Sequence, residues 1–197
     1  RKVLEKIVRD DVSNEKFKFR DSRRMFVGGV PAIINRISFT GELGYEIYVA
    51  PHYQLKLYEE LMEAGKEFNI KPFGGRALMS MRLEKNWGAW TLDYRPDFTA
   101  KETGLDAFIN WDKEFIGKES AQKENSSNKL VPLIVETNEI DVTNNEAVLN
   151  GDQSIGYVTS GGFAHFVNKS VAFTFVDQKK IKSENKIQVE INGDLFN

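Results

Sequence analysis

"SFTGELGYEIYVA", residues 38–50, reads as a hairpin tip opening into a strand, and it carries a carboxylate, Glu46, where the pattern calls for an apolar residue. A loop formed by Gly41, Glu42, Leu43 and Gly44 pairs Thr40 with Tyr45, and therefore Phe39 with Glu46 and Ile37 with Tyr48. On that register Glu46 shares a face with Ile37, Phe39 and Tyr48, whereas a slip of one residue turns it to the other face. An ionised carboxylate buried there needs a partner, since leaving it without one costs on the order of several kcal/mol. Two partners fit: a cation such as Arg36 or one on a neighbouring helix, or the N–H donors of a ligand. Glu42, at the tip, is expected to be solvated.

The flanking sequence supplies the rest of the layer. From Met25 to Val49 apolar and β-branched residues alternate or run together, punctuated by Gly28-Gly29 and by Gly41 to Gly44, which predicts two or three antiparallel strands. "KVLEKIVR", residues 2–9, has helical spacing, with Val3, Leu4, Ile7 and Val8 on one side. "YQLKLYEELMEAG" predicts a helix with Leu55, Tyr58, Leu61 and Met62 as its apolar positions and Gly65 as its cap. "PFGGRALMSMRLEK" predicts another, with Phe73, Ala77, Leu78 and Met81 as the stripe. Strands followed by helices imply an α+β layer, an antiparallel sheet covered on one face by packed helices.

After Ala121 the composition changes. "QKENSSNK", residues 122–129, reads as a linker, and beyond it "LVPLIVE", "SIGYVTS", "SVAFTFVD" and "KIQVEING" are short β-rich runs separated by turn signals at Asn150-Gly151 and Gly161-Gly162. A small all-β barrel or sandwich is expected there. The division is therefore residues 1–121 and residues 129–197.

Bulk properties narrow the function. The 197 residues are 41% hydrophobic with a formal charge of −2, enough apolar material for a sizeable core and no electrostatic basis for nucleic acid or an anionic membrane as partner. There is no cysteine and there are two histidines, His52 and His165, so disulfides, thiolate zinc sites and Cys/His nucleophile pairs are excluded and neither histidine receives a role. No apolar run reaches membrane-spanning length and no export signal opens the chain, so the expected compartment is the cytoplasm, or the mitochondrial matrix in a eukaryote. Arg1 in place of Met suggests processing, or a piece of something longer.

Nucleotide fingerprints are missing: neither G-x-G-x-x-G after a strand nor G-x-x-x-x-G-K-[ST] occurs. Asp93, Asp97 and Asp106 match no calcium loop, and no metal is expected. Arg76 stands out because a cation in the first turn of a helix opposes the helix dipole at a cost of about 0.3–1 kcal/mol. Beside Gly74-Gly75 it could present its fork to a planar or anionic ligand, the other reading being an ordinary exposed arginine. Trp87, Trp90, Tyr94 and Phe98 in "NWGAWTLDYRPDF" either cap a core or wall a pocket. A carboxylate, an arginine and aromatic walls suit a flat heterocycle with adjacent N–H donors on one edge, and a pterin has that edge.

Four ordered blocks carry a family resemblance: "RISFTGELGYEIYV", "KPFGGRALMSMRLEKNWGAW", "TGLDAFINWDKEFIGKESA" and "SIGYVTSGG". They resemble the aminomethyltransferase (T-protein) of the glycine cleavage system, and more closely the C-terminal, tetrahydrofolate-binding region of dimethylglycine and sarcosine dehydrogenases. The resemblance implies that Glu46 binds the pteridine edge, that Arg76 matches a family arginine of the same folate site, and that Trp90 lies where the family has an aromatic residue. It also implies tetrahydrofolate as cofactor, and FAD only in an upstream flavin domain of the same parent protein. The family's aspartate near the reacting folate nitrogen falls upstream of Arg1, and the last strand stops at Asn197, earlier than in the family. The chain is therefore expected to be inactive alone. In the intact protein the one-carbon unit of an oxidised N-methyl amine would pass to tetrahydrofolate, giving 5,10-methylene-tetrahydrofolate. The alternatives are a glycine-cleavage aminomethyltransferase fragment and a non-catalytic protein of the same fold.

Overall fold

Gly28 and Gly29 both have positive φ (56° and 79°), as a primed two-residue hairpin turn requires, and they join β1 (Ser22–Val27) to β2 (Val30–Asn35). The computed structural model describes residues 1–137 and 139–197, and the chain divides into two units, Arg1–Leu78 and Met79–Asn197. In the first, β1, β2 and β3 (Glu46–Tyr48) form an antiparallel sheet in that order. Alternation along the strands turns Met25, Val27, Ala32 and Ile34 inward. They pack with Leu4 of α1 (Lys2–Ile7) and Leu57 of α2 (Gln54–Gly65), leaving the opposite face of the sheet open.

The hairpin register differs from the sequence expectation. Glu46 pairs with Asn35 and Tyr48 with Ile33, four positions earlier than Phe39 and Ile37. Residues 36–45 form a longer loop, in which Ser38, Thr40 and Arg36 are hydrogen-bonded. The Ser38 hydroxyl meets the Thr40 hydroxyl at 3.0 Å and accepts from the Thr40 N–H, while the Arg36 guanidinium donates to the Phe17 carbonyl and the Asn14 side chain. An even displacement keeps Glu46 and its strand neighbour Tyr48 on the same face of the sheet as expected, but with Asn35 and Ile33 there rather than Phe39 and Ile37.

The helices form where expected and bury other residues. In α2 the inward positions are Leu57 and Ala64, while Leu55 and Tyr58 are exposed. The sequence carries two apolar stripes at helical spacing, and packing against the sheet selects one of them. Gly65 ends α2 without left-handed backbone; a Cβ there would lie 2.4 Å from Ile70 Cγ2, and Asn69 (φ 54°) makes the left-handed turn. In α3 (Gly75–Glu84), within which the two units divide, Arg82 and Leu83 are buried, whereas Phe73 and Ala77 are exposed.

The second unit holds α4 (Ala100–Thr103), α5 (Lys118–Lys123) and a six-stranded antiparallel sheet. Its strands are β4 (Asn128–Val135), β5 (Ala147–Asn150), β6 (Gln153–Ala164), β7 (Lys169–Asp177), β8 (Ile187–Ile191) and β9 (Asp194–Phe196), ordered β4-β7-β6-β5-β8-β9. The Glu136 N–H donates to the Asn197 carbonyl at 2.7 Å, bringing the two ends of the sheet together around Val135, Val148, Ile155, Val158, Ala172 and Val189. The sheet is barrel-like, and the chain is α+β.

Asn150-Gly151 is a turn, with Gly151 at φ 63°. Gly161-Gly162 is not: both lie inside β6, and a Cβ on Gly161 would come within 2.7 Å of the Val142 carbonyl. Nor is the polar segment before β4 a loose connector. Thr99 and Lys101 donate to the side chain and carbonyl of Glu124, and Ser126 donates to Glu102, the acid of a capping box with Thr99. Among the described residues no helix is long and apolar enough to cross a membrane.

Candidate functional site

The open face of the first sheet carries Ser22, Arg24, Phe26, Pro31, Ile33, Asn35, Glu46 and Tyr48, as the strand register dictates. Glu46 is half-buried there. The Tyr48 hydroxyl donates to its Oε2 at 2.5 Å, and its other carboxylate oxygen accepts no hydrogen bond from the described residues. That bond and the carboxylate's charge raise the Tyr48 pKa by stabilising the neutral phenol. Tyr48 in turn lines a concavity of about 1030 Å³ together with Phe26, Ile33, Pro31, Arg24 and Arg9. Arg36 is not the partner of Glu46, since its guanidinium serves the 14–17 segment.

Arg76 is exposed in the first turn of α3, and no hydrogen bond or ion pair joins it to Glu46. The structure thus gives Glu46 a defined, partly satisfied setting, and leaves Arg76 as a solvated cation.

In the second unit, Trp90 is 76% exposed and meets Tyr94 edge-on at 5.8 Å. Trp87 packs edge-on against both Tyr94 and Phe108, so it belongs to an aromatic cluster, while Trp90 projects from it. Phe98, by contrast, stacks on Phe175 at 3.9 Å and caps the barrel.

Sequence reasoning missed the polar centre beneath this loop. Arg82 and Asp93 are 1% and 0% exposed and form a 2.6 Å ion pair. Asp93 Oδ2 also accepts from the Ala89 N–H at 2.8 Å, and Oδ1 accepts from the hydroxyls of Thr159 and Ser160. Arg82 further donates to the Trp87 carbonyl at 3.1 Å and lies over the Phe173 ring. The available signals were an arginine on the inward side of a helix and adjacent hydroxyls in "YVTSGG"; neither spacing announces a pair 11 residues apart that a strand 66 residues on completes. Among the described residues no group of acids and histidines is arranged to hold a metal ion.

Comparison with known proteins decides the family. Residues 1–113 match the GCVT N-terminal domain model, and residues 128–197 match the glycine cleavage T-protein C-terminal barrel domain model. The chain belongs to the glycine cleavage T-protein family. Relatives within it include the mitochondrial dimethylglycine dehydrogenase of Homo sapiens, 34% identical over 98% of this chain and 23% of that protein. The aminomethyltransferase of Caldanaerobacter subterraneus is 33% identical over 97% of the chain and 52% of its own length. The crystal structure of glycine cleavage system aminomethyltransferase T from Bartonella henselae superposes with a TM-score of 0.73 at 25% identity, covering 84% of this chain and 47% of the other. The chain thus spans about half the length of the aminomethyltransferases and about a quarter of the dehydrogenase. These T-protein relatives are enzymes by name.

Proposed function

We propose that this chain is the tetrahydrofolate-holding part of a dimethylglycine- or sarcosine-dehydrogenase-like enzyme, with residues 1–121 forming the C-terminal part of the folate-binding domain and residues 129–197 the family's barrel. The observation that carries the reading is Glu46: a half-buried carboxylate, steadied on one oxygen by Tyr48 and with no hydrogen bond to the other among the described residues, on an open sheet face beside a large concavity. An ionised carboxylate only accepts hydrogen bonds, and two oxygens match two adjacent N–H donors. The two acceptor oxygens therefore fit the 2-amino and ring N–H edge of a pterin. Tyr48 fixes the carboxylate rotamer so that less conformational entropy is lost on binding.

Tetrahydrofolate, when bound, supplies the nucleophilic nitrogens that take up a one-carbon unit. This chain's residues bind and orient: in the first unit Glu46 holds the pteridine edge and the exposed Arg76 is available to an anionic group, and in the second unit Trp90 offers an aromatic surface. Holding the acceptor close to the site where the unit is released favours transfer over loss of formaldehyde to water. The amine would be oxidised by an FAD domain elsewhere in the parent polypeptide, and the chain by itself would be inactive. The compartment is the cytoplasm, or the mitochondrial matrix in a eukaryote.

A glycine-cleavage aminomethyltransferase is the second reading, favoured by the nearly equal identity to the two kinds of relative, 34% and 33%. The folate role of Glu46 is common to both readings, and only the source of the carbon differs.

Glu46→Gln keeps the shape and removes the charge. Since a hydrogen bond to a charged group contributes roughly 1.5–3 kcal/mol, tetrahydrofolate affinity in the parent polypeptide should fall by about one to two decades. Calorimetry showing unchanged affinity would remove Glu46 from the site. Product formation from dimethylglycine or sarcosine, against formation from an aminomethylated lipoyl carrier, separates the two readings.

A further inference from the structure

The Arg82–Asp93 centre lies directly under a loop held in an unfavourable shape. Thr91 has φ 69°, a left-handed conformation that is an outlier for a β-branched residue. Next to it, Trp90 keeps three-quarters of its surface in water, forgoing most of the burial that a large aromatic side chain offers. Such costs persist only where the surroundings over-determine the backbone.

The surroundings here are specific. The register of β6 against β7 shifts between Val158 and Ser160, pairing Val158 with Thr174 and Ser160 with Phe173, so Thr159 is the extra residue of a bulge. In a regular strand consecutive side chains point to opposite faces. The bulge lets Thr159 and Ser160 both turn toward one carboxylate oxygen, Asp93 Oδ1. The other oxygen and Arg82 fix the near end of the loop through the Ala89 N–H and the Trp87 carbonyl. The loop is thereby pinned at residues 87, 89 and 93, on either side of the strained tip.

We propose that Arg82, Asp93, Thr159 and Ser160 form a positioning device that forces the 87–94 loop to present the Trp90 indole outward as a stacking platform for a planar heterocycle. The platform's use rests on the folate reading above; the positioning does not, and it is tested without ligand. Thr159, Ser160, Asp93 and Arg82 are positioning residues, acting on a ligand only through Trp90.

The test uses the full 197-residue chain carrying Trp87→Phe and Trp111→Phe, so that Trp90 is the single remaining indole of the three. Ser160→Ala and Thr159→Val each remove one hydroxyl donor with little change of shape. Losing a hydrogen bond to a charged group should let the amides of residues 86–95 exchange roughly ten- to a hundredfold faster, while β7 and β8 amides keep their protection. Trp90 anisotropy should fall as the loop loosens, and its emission maximum should move as the indole leaves its fixed exposed position. Thr159→Ser, which restores the hydroxyl, should return all three signals to those of the parent. If Ser160→Ala and Thr159→Val leave Trp90 anisotropy and loop exchange unchanged, or if the barrel amides lose protection equally, the positioning role is wrong. Should Thr159→Val not fold, Ser160→Ala decides alone, since a second hydroxyl then still serves Asp93. In a separate arm on the parent polypeptide, Trp90→Ala leaving tetrahydrofolate affinity unchanged would overturn the platform's use, a failure distinguishable from failure of the positioning.

Discussion

Replacing Asp93 with Asn changes one atom in size hardly at all and reverses its hydrogen-bonding sense. Oδ1 can still receive the hydroxyls of Thr159 and Ser160, but an amide NH2 in place of Oδ2 faces the Arg82 guanidinium at 2.6 Å and the Ala89 N–H at 2.8 Å, donor against donor. Two buried donors lose their acceptor, each costing about 1–3 kcal/mol. The Arg82 charge, 1% exposed, is left with the Trp87 carbonyl and the Phe173 ring. Removing one partner of a buried pair typically costs about 3–5 kcal/mol, and the geometry places Asp93→Asn in that range. Adding Arg82→Met should recover part of the loss, because an apolar replacement of similar volume removes the unpaired charge. Urea unfolding followed by far-ultraviolet circular dichroism measures both variants, with an unchanged m-value confirming that the same surface unfolds. A loss below about 1 kcal/mol for Asp93→Asn, or strictly additive losses in the double variant, would refute the reasoning that the pair is dry and mutually dependent.

Gly156→Ala should be severely destabilising, near the upper end of the roughly 1–3 kcal/mol that overpacking costs, because its Cβ would lie 2.0 Å from the Phe175 carbonyl oxygen and 2.8 Å from Val176 Cα. Gly162→Ala is the control: its Cβ would meet nothing nearer than Leu83 Cδ1 at 3.7 Å, so thermal melts should show a clear drop for the first variant and little for the second. Glu102 tests the acid limb. Burial pushes its pKa up, but the Ser126 hydroxyl, the Thr99 N–H and other donors outweigh that and hold it below the usual carboxylate range. A folded-state pKa below the unfolded one means its stabilisation is complete above the unfolded value and lost as pH falls through the depressed one. The stability advantage of the native chain over Glu102→Gln should therefore shrink on acidification below the usual carboxylate range, and a constant difference between neutral pH and about pH 3 would contradict it.

What the sequence determined by itself is what depends on short spacings. Apolar and β-branched residues alternating or running together between residues 25 and 49 specified antiparallel strands, and Gly28-Gly29 specified a turn, because both follow from backbone geometry over a few residues. The ordered blocks from Arg36 to Gly162 were likewise readable as a family pattern, which the matched domain models support. Placing Glu46 beside Tyr48 was within reach too, since residues two apart on one strand share a face whatever the register against the next strand.

Tertiary structure alone decided which of several locally equivalent arrangements is occupied. Glu46 sits opposite Asn35 rather than Phe39, with residues 36–45 in a longer loop in which Ser38 and Thr40 bond each other and the Arg36 guanidinium donates to residues 14–17. In α2, Leu57 and Ala64 face inward rather than Leu55 and Tyr58, although both stripes obey the helical period. Gly161-Gly162 lies within a strand rather than a turn, and at Gly161 Val142 occupies the space a side chain would fill. Above all, the Arg82–Asp93 pair becomes a buried centre only when a bulge in β6 brings two neighbouring hydroxyls to the same oxygen. Burial, and with it the strength of each of these electrostatic contacts, is set by residues distant in the chain, and no local spacing encodes it.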